Sequence, residues 1–248
     1  MKVIAVINQK GGVGKTTTVL NVGAGLVLKG YRVLLVDLDV QGNLTTATDI
    51  KEIQHTTFDI LTKEASIREA IVKTNQADLI PYSPRLSGID LILGEAVARE
   101  YRLKEALEEV KKLYDFVIID TPPAINTLTL NALVSANEVI IPAQAEVFAL
   151  RGIEGFMQTV DQVRTYYNKG LKVNGIVLTR FNATASLRQT ITERLEEVAK
   201  KHKTKIYETR IRENVAICEA QATRNNLFSY APKSKGALDY MALVDEVL

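Results

Sequence analysis

The 248-residue chain has little of what marks secreted, metal-clustered or membrane-embedded proteins. It holds one cysteine, Cys218. A single thiol excludes an intramolecular disulfide framework and a CxxC metal site. With no second thiol and no leader-like segment, a reducing compartment and hence the cytoplasm is the expected location. The first apolar run, Val3 to Ile7, is too short for a signal-peptide core or a membrane span. Internal repeats, low-complexity tracts and linkers rich in Gly, Pro or Ser are absent. Neither sign of charge dominates, with 31 Lys and Arg against 29 Asp and Glu. What remains is an ordinary globular composition, 46% hydrophobic and 24% charged, long enough to bury a sizeable core.

The charge is unevenly placed. Residues 180–212 hold nine Lys and Arg against four Glu, and the rest of the chain is slightly acidic. A solvated helix face would account for this, and so would a nucleic-acid surface.

Short runs rich in Val and Ile alternate with longer amphipathic stretches. The runs are Lys2–Asn8, Arg32–Asp37, Asp78–Pro81, Phe116–Asp120, Glu138–Pro142, Val173–Thr179 and Ile206–Thr209. Most read as strands buried on both faces. Residues 99–113 read as a helix with Leu103, Leu107, Val110 and Leu113 on one face, and residues 187–199 as another with Leu187, Ile191, Leu195 and Val198. Ser186-x-x-Gln189 opens the latter with a capping-box pattern. This alternation predicts a single α/β domain over residues 1–248: a mostly parallel, twisted sheet of about seven to eight strands with helices on both faces. Ligands in such sheets bind at the carboxyl ends of the strands.

After the first strand comes Lys10-Gly-Gly-Val-Gly-Lys-Thr-Thr17, then a helical pattern through Leu28. Strand, glycine-rich loop and helix is the context of a phosphate loop. Glycines let backbone N–H groups approach phosphate oxygens, and the helix N-terminus adds its positive dipole end. Lys15 is placed for the outer phosphates and the Thr16 hydroxyl for Mg²⁺. The loop departs from the standard form: Gln9 stands where a glycine is usual, and Lys10 adds a second lysine at the mouth.

The second strand ends in Val36-Asp-Leu-Asp-Val-Gln-Gly-Asn43. Carboxylates at alternate positions, Asp37 and Asp39, share one side of an extended chain, so one could support a magnesium shell while the other orients water. Phe116-Val-Ile-Ile-Asp120 places an aspartate at the end of a buried strand, the usual place for a carboxylate that holds Mg²⁺ through water.

These segments, with Ile119-Asp-Thr-Pro-Pro123, Leu128-Thr-Leu-Asn-Ala-Leu133 and Phe148-Ala-Leu-x-Gly152, resemble the ParA/MinD group of deviant Walker-A ATPases, ParA/Soj-type DNA partition proteins in particular. The resemblance runs from about residue 3 to the C-terminus. It implies ATP and Mg²⁺ as ligands, with Gly11, Gly12, Val13, Gly14, Lys15, Thr16 and Thr17 as the nucleotide cradle. Thr16, Asp39 and Asp120 would serve the metal, and Lys10, Lys15 and Asp39 the hydrolysis. Lys10 matches the signature lysine, which crosses a nucleotide-sandwich homodimer to the partner's phosphates. The adenine-side segment reads Ile211-Arg-Glu-Asn214, so Arg212 and Asn214 are the base-side candidates, although Arg212 stands where the family has proline. Glu213 replaces an arginine that contacts DNA in the family. Arg180, Arg188, Lys200, Lys203, Arg210 and Arg212 are the remaining candidates for a DNA surface. The downstream Pro-Ser segment of the family is altered to Gln221-Ala-Thr-Arg-Asn225, and Val40 replaces a proline.

The implied cycle is ATP-dependent dimerisation, non-specific DNA binding, and hydrolysis stimulated by a ParB-like centromere-binding partner, in a nucleoid-associated cytoplasmic protein. No helix-turn-helix domain is expected before the loop. Two alternatives stay open. One is a positioning ATPase with a protein cargo. The other is a MinD-like membrane cycle, which needs a basic amphipathic C-terminal helix where this chain has the acidic Tyr240–Leu248. No membrane contact is expected. Relatives that bridge iron–sulfur clusters need more cysteines, and Cys218 reads as a small buried residue.

Overall fold

The computed structural model describes residues 1–181 and 186–248, with side chains at all of these except 147–149, 151 and 186–190. The Ser186/Gln189 cap, Leu187, Arg188 and Phe148 with Ala149 therefore lie outside the described side chains.

Seven strands form one sheet: β1 (Lys2–Val6), β2 (Val33–Asp37), β3 (Asp78–Ile80), β4 (Phe116–Asp120), β5 (Glu138–Ala143), β6 (Lys172–Phe181) and β7 (Ile206–Arg212). Their order is β3-β2-β4-β1-β5-β6-β7, and every pairing is parallel. Each of the seven apolar runs is a strand. Burial on both faces explains why they read as continuous rather than alternating.

Among the described residues twelve α-helices connect and cover the strands: α1 (Lys15–Leu28), α2 (Asn43–Thr46), α3 (Thr57–Thr62), α4 (Ile67–Ala70), α5 (Ile89–Ile92), α6 (Arg102–Glu108), α7 (Thr127–Ser135), α8 (Val147–Tyr166), α9 (Ser186–Lys201), α10 (Val215–Ala222), α11 (Leu227–Tyr230) and α12 (Lys235–Val247). Several begin on the residue types that cap helices. Asn126 accepts from Thr129 N, Asn214 from Ala216 N and Ser234 from Ala237 N.

Successive residues of each strand feed opposite faces. Val3 and Ala5 join a core with Leu103, Leu107, Phe156, Ile191 and Leu195, so α6, α7, α8 and α9 cover that side. Ile4 and Val6 join Val19, Val22, Leu26, Tyr240 and Leu243 on the other, covered by α1, α10 and α12. The acidic end of the chain is thus a packed helix, with Tyr240, Leu243, Val244 and Val247 buried. Among the described residues no helix is long and apolar enough to cross a membrane.

Two local expectations need correction. The helix expected over 99–113 is a 3₁₀ turn at Arg99–Tyr101 followed by α6, which stops at Glu108. Leu103, Leu107 and Val110 are buried, but Leu113 is 41% exposed because the helical period lapses before it. Cys218 is exposed, not buried. On α10 the inward face is carried by Ile217 and Ala220, three residues apart, and Cys218 is turned away from it.

A candidate nucleotide site at the carboxyl ends of the strands

The register sets the acidic residues level with one another. Asp37 pairs across from Asp120 on the neighbouring strand, and Val6 of β1 pairs with Asp120 on its other side. The chain leaving Val6 therefore emerges beside the carboxylates.

The loop after β1 is pinned from beneath. Asn8 Nδ2 donates to Pro142 O at 2.7 Å, and its Oδ1 accepts from Lys10 N at 2.9 Å. Thr179 Oγ1 donates to Val13 O at 2.8 Å, and Gln144 Nε2 to Gly12 O at 3.2 Å. Thr121 Oγ1 ties β4 to β1 through Val6 O at 2.9 Å. Gly12 and Gly14 take φ of +72° and +90°, left-handed values that side chains rarely adopt. Carbonyls thus accept from the scaffold, while among the described residues the N–H groups of Gly11 to Gly14 donate to no protein atom. That is the polarity an anion cradle requires.

Lys15 is buried, and its Nζ lies 3.4 Å from Lys10 O, arched back over the loop. Burial holds its pKa below the ordinary lysine value, and the charges of Asp120 and Asp39 act against that shift. Thr16 Oγ1 donates to Asp120 Oδ2 at 2.6 Å. Burial, and then the neighbouring Asp37 charge, push the Asp120 carboxyl well above the usual carboxylate range; the Thr16 hydrogen bond pulls the other way.

The two carboxylates of the second motif do different jobs. β2 ends at Asp37, and the two carboxylates meet different surroundings. Asp37 is fully buried and both oxygens are taken: Oδ1 accepts from Asp39 N at 3.1 Å, and Oδ2 from Thr45 N and Oγ1 at 2.8 and 2.7 Å. It anchors α2 to the strand end. Asp39 lines the cavity, its Oδ1 accepting from Gln41 N at 3.0 Å.

The cavity has a volume of about 660 Å³. Gly11, Gly12, Gly14, Lys15, Thr16, Thr17 and Asp39 line it. Val13 and Asp120 sit behind that lining. Lys10 stands outside it, its Nζ paired with Glu146, both side chains roughly half exposed.

Other candidates are dispersed. Arg180, at the end of β6 with φ +47°, faces the nucleotide cavity. Arg212 does not line the cavity. Its guanidinium grips Asp239 of α12, with Nη2 to Oδ1 at 2.6 Å and Nε to Oδ2 at 2.9 Å. Asn214 caps α10. Arg210 folds back on its own strand, Nη1 donating to the carbonyls of Tyr207 and Glu208. Lys200 and Lys203 are exposed. They lie where α9 returns to the start of β7, a helix length of roughly 24 Å from the end of β6. The basic segment is therefore divided between the two ends of the sheet, and does not form the single stripe that its sequence allowed.

Cavity residues without an expected role include Thr46 and Ala47 and, far along the chain, Gln221, Ala222 and Arg224. Gln221 Nε2 donates to Thr17 Oγ1 at 3.1 Å, bringing the end of α10 against α1. The altered Gln221–Asn225 segment was the signal available for Gln221, Ala222 and Arg224.

The donor set suits a hard divalent cation. Thr16, Asp39 and Asp120 offer oxygen, and the buried carboxylates have only Lys15 against them. Among the described residues no cluster of three or more His, Cys, Asp or Glu side chains could hold a metal alone. A cation here takes its remaining ligands from phosphate and water.

A glycine-rich loop between a central parallel strand and a helix, with Lys and Thr at the helix start and an aspartate on the neighbouring strand, defines a P-loop nucleoside triphosphatase. A family model described as an AAA domain matches residues 1–173. The chain is 42% identical to the sporulation initiation inhibitor protein Soj of Bacillus subtilis over 99% of its own length and 98% of that protein. It is 39% identical to the chromosome partitioning protein ParA of Caulobacter vibrioides, over 100% and 94%. The chain belongs to the Soj/ParA family of chromosome-partitioning P-loop ATPases. Among solved structures it resembles cobyrinic acid a,c-diamide synthase from Mycobacterium smegmatis, with bound ADP and magnesium in that structure. The TM-score is 0.85 at 35% identity, covering 99% of this chain and 93% of the other.

Proposed function

We propose that this chain is a magnesium-dependent ATPase whose ATP-bound form pairs with a second copy, binds DNA without sequence preference and segregates DNA with a ParB-like partner that stimulates hydrolysis. The observation that carries the reading is the division of labour between two lysines. Lys15 is buried in the cradle, whereas Lys10 stands outside the cavity, exposed, on the pinned base of the loop. A cation that does not line its own cavity yet stands at its mouth is placed for the phosphates of a facing subunit. ATP would then bridge two like-charged loops and couple pairing to nucleotide.

Within one subunit, the N–H groups of residues 11–16 and the Lys15 ammonium hold the phosphates. Thr16 and Asp120 would hold magnesium; when bound, the ion would supply charge that offsets the growing negative charge on the phosphoryl oxygens. Asp39 orients the attacking water at the phosphate end. Asp37 fixes the start of α2 and so the loop that carries Asp39. Slow basal turnover is expected, because stimulating partners supply further charge.

Arg180, Lys200, Lys203 and Arg212 are the exposed sequence candidates for DNA phosphates; with Arg212 paired to Asp239 and Arg180 on the nucleotide cavity, Lys200 and Lys203 are left for DNA. Pairing doubles the number of such contacts, and affinity falls steeply with salt for each phosphate neutralised. A single subunit can then stay free under conditions where a pair is bound. The test is fluorescence anisotropy with a random duplex, run with ATP, ADP and no nucleotide over a salt series, with anionic liposomes in parallel. Salt-sensitive binding confined to ATP supports the reading. Binding to no DNA in any state, or to liposomes instead, would sink it.

A further inference from the structure

Part of the cavity wall is built from the end of α10 and the turn after it, Gln221, Ala222 and Arg224. Building on the ATP site proposed above, we infer that Arg224 is a nucleotide-contacting residue that holds the nucleoside end of bound ATP or ADP.

α10 closes in a Schellman-type turn: Arg224 N donates to Gln221 O at 3.0 Å, and Asn225 N to Ala220 O at 2.8 Å. Such a turn sets the residue after the cap in the left-handed region, and Arg224 has φ +57°. Glycine fills that position without steric penalty; arginine does not. The conformation is also held from outside, by Asn75 Nδ2 donating to Arg224 O at 3.2 Å and Asn75 N donating to Asp49 Oδ1 at 3.1 Å.

Strain alone selects nothing here, because Lys63, Ala98, Arg180 and Lys203 are left-handed as well. Lys63 is an outward residue paired with Glu105 at 3.0 Å, and neither lysine lines the nucleotide cavity. Arg180 and Arg224 both do: Arg180 follows Thr179, which bonds Val13 O of the loop, and so stands at the phosphate side, whereas Arg224 also lines an adjoining cavity of about 320 Å³ with Thr46 and Lys51. Among the described residues the Arg224 guanidinium has no hydrogen-bond or ion-pair partner. An unpaired cation fixed on a penalised backbone in the wall of a ligand cavity is a group held for a ligand.

Its place along the cavity says which part of the ligand. The phosphate end is set by residues 11–16. Gln221 meets Thr17, just past that end, and Arg224 lies three residues further, beyond the close of α10. A nucleotide with its phosphates on the loop brings its sugar and base toward this wall. A guanidinium there offers planar donors to ribose oxygens and a cationic face to a purine ring.

The test is calorimetric titration of the full chain with Mg²⁺ and either ADP or pyrophosphate, the latter lacking a nucleoside, alongside melting without nucleotide. Arg224→Ala and Arg224→Gly are expected to weaken ADP by about tenfold while leaving pyrophosphate within about twofold, with Arg224→Lys between. Arg224→Gly should raise the melting temperature without nucleotide by about 2 °C, since glycine relieves the left-handed strain. Weaker binding in a more stable chain is a combination that a purely structural role cannot give. Unchanged ADP affinity in either folded variant would overturn the inference, as would pyrophosphate weakening in step with ADP. Lys15→Ala should lose both probes. A wild-type chain that binds neither would defeat the ATP-site reading itself, a result distinct from failure at Arg224 alone.

Discussion

Gly42 is the hinge on which the Asp39 loop turns into α2, and substituting it tests how that loop is held. It has φ +60°, and its N–H donates to Asp39 O at 2.9 Å. The ring of Tyr82 lies flush against it: a Cβ would fall inside 3 Å of Cδ1, Cε1 and Cζ. Tyr82 is not free to leave, because its N–H donates to Thr45 Oγ1 at 3.0 Å and its side chain packs on the core. Gly42→Ala therefore carries two penalties. The left-handed backbone costs about 1 kcal/mol, and forcing the ring aside costs about 2 kcal/mol as overpacking. The sum is about 3 kcal/mol. In a Tyr82→Ala background only the backbone part remains, so a double-mutant cycle should show a coupling of about 2 kcal/mol. Urea denaturation of the four chains without nucleotide measures it. The displaced loop carries Asp39 and Gln41, so Gly42→Ala should also slow ATP turnover more than it weakens ADP binding. Coupling indistinguishable from zero would show that the ring does not brace this loop, and the account of how Asp39 is positioned would be wrong.

Asp39→Ala should retain ATP binding, lose hydrolysis and leave the chain as a DNA-bound dimer with ATP; normal turnover, measured by phosphate release, would remove Asp39 from the mechanism. Asp37 sits at about 6, raised by burial above the ordinary aspartate value. A raised folded value means that its stabilising contribution is complete below about pH 4 and is lost as pH rises through 6. The nucleotide-free chain should thus gain about 1 kcal/mol between pH 7.5 and pH 5 by chemical denaturation, and Asp37→Asn should flatten that slope.

The strands and the cradle were legible because both are local. A run such as Phe116–Asp120 is apolar at every position but its last because two helical layers cover it, and the loop needs its glycines next to its lysine. Partners far along the chain were not legible. Arg212 looked like a free cation, but its partner, Asp239, comes 27 residues later, on a helix packed against β7. Which of Asp37 and Asp39 does which job was not legible, because it depends on Thr45, which takes up Asp37, and on the cavity that Asp39 lines. Arg224 was hidden because its role depends on a turn that brings the end of α10 to a cavity begun two hundred residues earlier.

The position of β1 sets the order in which this protein can become itself during synthesis. Its pairings run to β4 and β5, Lys2 opposite Phe116 and Ile4 opposite Glu138. Nearly half the chain must leave the ribosome before the first strand finds a neighbour, and loop closures of that size make folding slow. The glycine loop is made long before its aspartate on β4, and the back of α1 stays bare until α12, which follows all seven strands, packs on it. An unfinished chain therefore has the loop but not the site. Nucleotide capture, and any pairing that depends on it, waits for β4 and α12.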